Sequence, residues 1–235
     1  MKSEKKAVVL LSGGLDSATL AYYVKAQGYE ITAISFSYEQ RHKIEMVAAK
    51  KISSLVEVRE HVWIQTNMTA IGHSSLTDSI PVPKGGRNME KENHIPLTYV
   101  PGRNLIFLSY AVALAESREI HEVFLGINSL DYSGYPDCRP DFLASIQKTS
   151  ELATKAGREG RPIRIHAPLI KLTKKEIIEM GLQLGVPYEY TWSCYDPKKK
   201  GDVYFPCGEC DSCLLRKRGF AKAFSPDPLK SMKEE

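Results

Sequence analysis

The segment Ala7-Val8-Val9-Leu10-Leu11-Ser12-Gly13-Gly14-Leu15-Asp16-Ser17 constrains this chain more than any other. Its apolar first half predicts a buried strand, a polar turn with two adjacent glycines follows, and the stretch from Ala18 to Gln27 reads as a helix. Adjacent glycines let the backbone bend sharply and approach an anion closely. The helix start beyond them offers free N–H groups and the positive end of its dipole, so the turn reads as a phosphate cradle. Ser12 and Ser17 add hydroxyl donors, and Asp16 is placed to hold a magnesium ion or to fix the loop. The lysine of a Walker A loop is missing. A plain strand–turn–helix with Asp16-Ser17 as a cap is the simpler reading, but the whole hexapeptide in this setting favours nucleotide binding.

Strands and helices alternate beyond it. Ile31 to Phe36 predicts a second strand, and a helix follows from Arg41 to Ile52 with Ile44, Val47, Ala48 and Ile52 on one face. Glu57 to Ile64 alternates only in part, as a strand near an edge would. Arg103 to Ser117 is apolar almost all round, which predicts a helix buried under a sheet. Val123-Phe124-Leu125 and Ile163-Arg164-Ile165 supply two more strands. Thr173-Lys174-Lys175-Glu176 has capping-box spacing and opens a helix that Gly185 and Pro187 close. Such alternation argues for an α/β fold with a doubly wound parallel sheet. Residues 65–97, with little periodicity, read as a loop-rich insertion, either a mobile segment or a lid.

At 235 residues and 43% hydrophobic content the chain suits one α/β domain with an appendage, and no apolar run approaches a membrane span. The expected location is cytoplasmic. A net charge of +4 fits an enzyme of anionic substrates as well as a weak nucleic-acid binder. Polar clusters follow the predicted strands, where an open α/β sheet binds its ligands. They are 37–42 (Ser-Tyr-Glu-Gln-Arg-His), 99–104 (Tyr-Val-Pro-Gly-Arg-Asn) and 126–140 with its Asn, Asp, Tyr and Arg residues. Arg suits phosphate or carboxylate, Asp and Asn suit the donor edge of a heterocycle, and Tyr rings stack. Each cluster alone is good turn chemistry. Together they point to a substrate site.

Cys194, Cys207, Cys210 and Cys213 form the second strong signal, with two C-x-x-C steps sharing Cys210. Four thiolates at such spacing close a tetrahedral structural zinc site, with iron–sulfur ligation as the rival. A thioredoxin-like redox pattern is missing. Cys138 stands apart as a small apolar residue, within reach of a substrate loop.

The opening hexapeptide resembles the SGGxDS loop of the PP-loop ATP pyrophosphatases. The ordered series SGGLDS, YEQRH, YVPGRN, GINSLDYSGYPDCRP, TKxEI, SCY and CGECDSC resembles the 7-cyano-7-deazaguanine synthase family over nearly the whole length. That resemblance implies a five-stranded parallel sheet of the adenine-nucleotide alpha-hydrolase-like kind, spanning residues 1–190, and a zinc-binding lobe over residues 191–235. It implies a homodimer acting on small molecules, with no stable nucleic-acid complex. It also implies conversion of 7-carboxy-7-deazaguanine, ammonia and ATP to the nitrile, through an acyl-adenylate and an amide, with magnesium accompanying ATP. Carried onto this sequence, it assigns ATP to Leu11, Ser12, Gly13, Gly14, Leu15, Asp16, Ser17 and Ala18. Substrate falls to Tyr38, Gln40, Arg41, Asp131, Tyr132, Asp137 and Arg139, and chemistry to Asp16, Ser17 and Arg103. Two departures stand out: Glu39 replaces the family's Gly, and the interval from Cys194 to Cys207 is longer. The start Met1-Lys2-Ser3 carries no glutaminase-type cysteine, so free ammonia is the expected nitrogen source. A tRNA thiolase using the same adenylation, or a non-catalytic nucleotide- or RNA-binding zinc module, are the alternative readings.

Overall fold

The computed structural model describes residues 5–38, 43–86, 95–130 and 134–234. A five-stranded parallel sheet runs in the order β3-β2-β1-β4-β5, formed by β1 (Lys5–Leu10), β2 (Tyr29–Ser37), β3 (Glu60–Gln65), β4 (Glu122–Phe124) and β5 (Arg164–His166). The helices are α1 (Leu15–Ala26), α2 (Ile44–Val56), α3 (Arg103–Ser117), α4 (Pro140–Ala153), the single turn α5 (Lys155–Arg158), α6 (Lys174–Gln183) and α7 (Asp211–Lys222). A second sheet of three short strands follows the order β6 (Lys198–Lys200), β7 (Val203–Phe205), β8 (Met232–Lys233). The order reverses direction between β1 and β4, and at such a switch point a crevice opens at the strand ends.

The central strands bury both faces, so their side chains feed two cores. Ala7, Val9, Ile31 and Ala33 pack with α1, α2 and α6, and Phe220 of α7 joins that core. Val8 and Ile34 pack on the opposite face with Leu108, Ala111 and Ala115 of α3 and Ile146 of α4. The doubly wound sheet expected from strand–helix alternation is thus present. β3 lies at the edge, and most of its residues are half-buried.

One expectation needs correction. α3 is not buried all round: Leu108, Ala111, Val112 and Ala115 face the sheet, while Leu105 and Tyr110 are 45% and 43% exposed. An open α/β sheet has one helix layer on each face, so a flanking helix keeps an outer side whatever its composition. Four elements were not anticipated: α4, the single turn α5, α7 and the small sheet. Beyond Gln65, which ends β3, residues 66–86 and 95–97 hold no helix or ladder strand, as expected of the insertion, yet Met68, Leu76 and Val82 are buried in a third core with the four cysteines.

The capping box forms in full. Thr173 Oγ1 accepts from Glu176 N at 3.3 Å, and Glu176 Oε2 accepts from Thr173 N at 2.7 Å. That fixes the entry of α6, and Asn128 fixes the preceding turn by donating its amide to the carbonyls of Leu169 and Leu172.

His61 of β3 illustrates how the edge is held. Its Nε2 lies 2.7 Å from Ser35 Oγ and its Nδ1 2.9 Å from Ser53 Oγ. Burial and then the nearby Lys50 charge push its pKa down to about 4. A depressed histidine stabilises the fold in full above its ordinary pKa, and that contribution is lost as pH falls through 6.5 toward 4. Melting temperature should fall over that window, and by distinctly less in His61→Gln; parallel curves would remove His61 from the account.

Candidate active site

The loop after β1 closes on itself. Ser12 and Ser17 place their hydroxyls 3.0 Å apart, Ser12 N donates to Ser17 Oγ at 3.2 Å, and Gly14 N donates to Ser12 Oγ at 3.3 Å. Gly13 has a positive φ of 80°, and a Cβ there would stand 2.5 Å from Ala49 N and 2.7 Å from Glu45 O. The loop therefore lies directly on the backbone of α2, and only glycine allows it. Gly13 O in turn accepts from Trp192 N at 2.9 Å, which ties the loop to the start of the C-terminal segment. Leu11, Leu15 and Ala18 are buried and anchor the loop from below.

A cavity of about 240 Å³ opens from this loop across the ends of β1, β2 and β4. Ser12, Gly14, Asp16, Ser17 and Lys174 line one end. Lys174 Nζ holds both oxygens of Asp16, at 2.6 and 2.7 Å, with side chains only 9% and 17% exposed. Its stem is set by α7: a Cβ on Gly219 would come within 2.5 Å of Lys174 Cγ. Lysine beside the loop supplies the cation that the loop sequence itself lacks.

The other end is aromatic. Phe36 and Phe107 stack at 3.8 Å with an interplanar angle of 4°, and Tyr38, Trp63, Tyr135 and Tyr195 complete the wall. Arg103, the first residue of α3, is enclosed there. Burial opposes its charge, but Tyr38, Tyr135, Tyr195 and Asp137 around it hold its pKa above the ordinary value, so it stays cationic. Burial, then the charge of Glu45, pushes Tyr38 up to about 12, so it stays a phenol. Glu45, on the first turn of α2, is pushed up to about 7 by burial, against the pull of Arg103.

The residues expected at the site divide as follows. Ser12, Gly14, Asp16, Ser17, Tyr38 and Arg103 share the cavity wall. Asp137 is buried, with Oδ2 accepting from Asn104 N at 2.9 Å, so it caps the start of α3 beside Arg103. Arg139 is exposed at the N-cap of α4 and does not line the cavity. Cys138 does line it, with burial and then Asp137 pushing its thiol up to about 12. Gln40, Arg41, Asp131 and Tyr132 lie outside the described residues, as do Glu39 and His42. Lys174 and Glu45 were missed. Glu45 had a legible signal: it shares a helical face with Ala49, Ile52 and Val56, a lone acid at the head of an apolar stripe.

Cys194, Cys207, Cys210 and Cys213 converge, all four sulfurs lying within 4.8 Å of one another and all four residues buried. Such a cluster could hold a metal ion. Tetrahedral ligands about 2.3 Å from zinc stand about 3.8 Å apart. Cys207 and Cys213 are 4.0 Å apart, close to that edge. Backbone N–H groups point at the sulfurs: Cys207 N at Cys194 (3.2 Å) and Cys210 N at Cys207 (3.3 Å). Hydrogen bonds from Cys194 and Cys213 pull Cys210 toward the thiolate, while the same sharing pushes Cys194 up. Four thiolates need a cation between them, and this donor set suits one. Lys84 clamps the insertion to the cluster, its Nζ 2.7 Å from Asp196, while Gly85 N donates to Glu209 O at 2.9 Å.

Residues 6–224 match the family described as queuosine biosynthesis protein QueC. The chain belongs to the QueC family. Among curated relatives, the 7-cyano-7-deazaguanine synthase of Desulfatibacillum aliphaticivorans is 53% identical over 228 residues, 97% of each chain. That of Hydrogenovibrio crunogenus is 56% identical over 225 residues, 95% of this chain and 94% of the relative. A solved 4-thiouridine synthetase–RNA complex with bound ATP shares the fold, with a TM-score of 0.50 and 20% identity, over 93% of this chain and 50% of that one. The expected resemblance is thereby established at family level, and the QueC-family sheet and cysteine cluster are those described above.

Proposed function

We propose that this chain converts 7-carboxy-7-deazaguanine, ammonia and ATP to 7-cyano-7-deazaguanine through an acyl-adenylate and an amide. The supporting observation is the single cavity that joins the phosphate loop to the cationic, aromatic wall around Arg103, in a chain whose relatives bear the synthase name. A carboxylate is a poor electrophile because oxide would have to leave. Attack on the α-phosphorus of ATP gives it AMP as a leaving group, and ammonia then displaces AMP. A second adenylation, on the amide oxygen, and loss of AMP give the nitrile. Ser12, Gly13, Gly14 and Ser17 present donors to the phosphates, with Leu11, Leu15 and Ala18 shaping the loop beneath them. Lys174 balances the charge of Asp16, and Asp16 would meet the magnesium that accompanies ATP and neutralises phosphate charge. Arg103 and Tyr38 face the substrate carboxylate, stabilising charge as it develops. Gln40, Arg41, Asp131, Tyr132, Asp137 and Arg139 are assigned to substrate on the family pattern.

Free ammonia as nitrogen source is supported by the cysteines. Four belong to the cluster and Cys138 is a buried, protonated thiol, so none is an activated nucleophile for glutamine. We assign the cluster a structural zinc holding residues 191–235 against the 1–190 domain. A homodimer is proposed on the exposed Leu97, Leu105 and Tyr110, in the cytoplasm; among the described residues no helix is long and apolar enough to cross a membrane.

The test is incubation with the acid, ammonium and Mg-ATP, read by mass spectrometry. Each dehydration consumes one ATP, so the expected products are one nitrile and two each of AMP and pyrophosphate. The isolated amide should need a single ATP and no ammonia, glutamine should not replace ammonium, and Asp16→Ala should abolish both half-reactions together. Release of ADP, or a variant losing only one half-reaction, overturns the shared phosphate site.

A further inference from the structure

Of the two acidic side chains that the described residues place in the cavity wall, Asp16 has Lys174 as its counter-ion, whereas a second carboxylate facing a triphosphate and an acidic substrate calls for a different task. Glu45 is that carboxylate. It lies on the turn of α2 against which Gly13 rests, so it stands beside the phosphate loop, and it lines the cavity together with Tyr38 and Arg103. Among the described residues it forms no salt bridge, while the charge of Arg103, which is hydrogen-bonded to Tyr38, reaches it from across the cavity. Where Arg103 orients the reacting carboxylate from α3, Glu45 belongs to the same cavity wall from the α2 side.

We infer that Glu45 is the proton acceptor for nitrogen in both halves of the reaction proposed above, a role that rests on that reading. In the first half, ammonium gives one proton to the Glu45 carboxylate. The freed lone pair forms the C–N bond, the C–O bond to AMP breaks with its electron pair leaving on AMP, and the second surplus proton passes to water. Glu45 then returns its own proton to solvent. In the second half, adenylation of the amide oxygen expels pyrophosphate, and one N–H proton is lost to water. The remaining N–H proton goes to Glu45 as the C–O bond to AMP breaks and the third C–N bond forms.

The surroundings suit that task. Around it Tyr38 and Cys138 stay protonated and Arg103 stays cationic at neutral pH. Glu45, held near 7, is the group of this described set that changes charge there, and a general base works best when its pKa lies near the working pH.

Glu45→Gln and the wild type are compared in three assays: acid-dependent ATP–pyrophosphate exchange without ammonium, amide formation, and conversion of isolated amide to nitrile. The expected result is exchange with an unchanged KM for the acid, and both nitrogen steps slowed roughly a hundredfold. Raising the pH at constant total ammonium should partly restore amide formation in the variant, because free ammonia needs no base. A raised KM for the acid in exchange would make Glu45 a substrate-recognition residue and overturn the inference; so would unimpaired nitrogen steps. Wild-type protein that forms neither amide nor nitrile overturns the proposed function, and this role with it.

Discussion

Lys174→Met is expected to lower kcat/KM for ATP by roughly two to three orders of magnitude. Lys174 binds both oxygens of Asp16 from a nearly buried position, so its removal leaves an uncompensated carboxylate where phosphate charge must gather. Losing one partner of a buried pair destabilises by about 3 kcal/mol. Removing both is gentler. The double variant Asp16→Asn with Lys174→Met should therefore regain most of the melting temperature while ATP-dependent exchange stays lost. Lys174→Arg should not rescue, because the stem is confined by Gly219 on α7 and a planar guanidinium has no room to turn. Turnover within threefold of wild type in Lys174→Met would show that the pair merely staples α6 to the loop.

Cys210→Ser should release the metal and cost at least about 4 kcal/mol, a fall of roughly 10 °C. Cys210 is the N-cap of α7, and serine is itself a favoured N-cap, so helix capping would not explain the loss. The third core is built on these sulfurs, with Met68, Val82, Trp192 and Leu229 packed among them. Nucleotide affinity should weaken in parallel, since the same helix presents Gly219 to the Lys174 stem. Stoichiometric metal analysis and thermal melting, with and without chelator, check this. Protein purified free of metal at an unchanged melting temperature would sink the structural assignment.

Where local signals and tertiary packing agreed, the sequence was legible. α3 begins at Arg103 and ends at Ser117, as its pattern indicated, and the Thr173–Glu176 box appears with both hydrogen bonds. Both depend on neighbours a few residues away. Lys174 sits inside that same box, yet its partner lies 158 residues upstream, and no periodicity reports such a pairing. α7 and the small sheet were missed for a related reason. Lys198-Lys199-Lys200 has no apolar alternation, and its strand exists because Val203, Tyr204 and Phe205 return alongside it above the sulfur cluster. α4 begins at Pro140, which read as part of a turn-rich substrate loop; proline at the first helical position is compatible with both. Of the cavity wall, the loop from Ser12 to Ser17 was readable as a contiguous motif, whereas the wall around Arg103 is assembled from β2, β3, α3 and the 135–138 turn.

The hairpin of β6 and β7 also explains how a long interval between Cys194 and Cys207 still lets their sulfurs meet. Its strands pair Lys198 with Phe205 and Lys200 with Val203, so the chain leaves the neighbourhood of Cys194 and comes back to Cys207. Residues added in pairs at its tip, around Gly201 and Asp202, would lengthen the excursion without moving either end. Distance along the chain and distance between sulfurs are thereby uncoupled. This ribbon can lengthen at its tip without moving the sulfurs, whereas the C-x-x-C steps bring their sulfurs together without a detour, so an added residue there would part them.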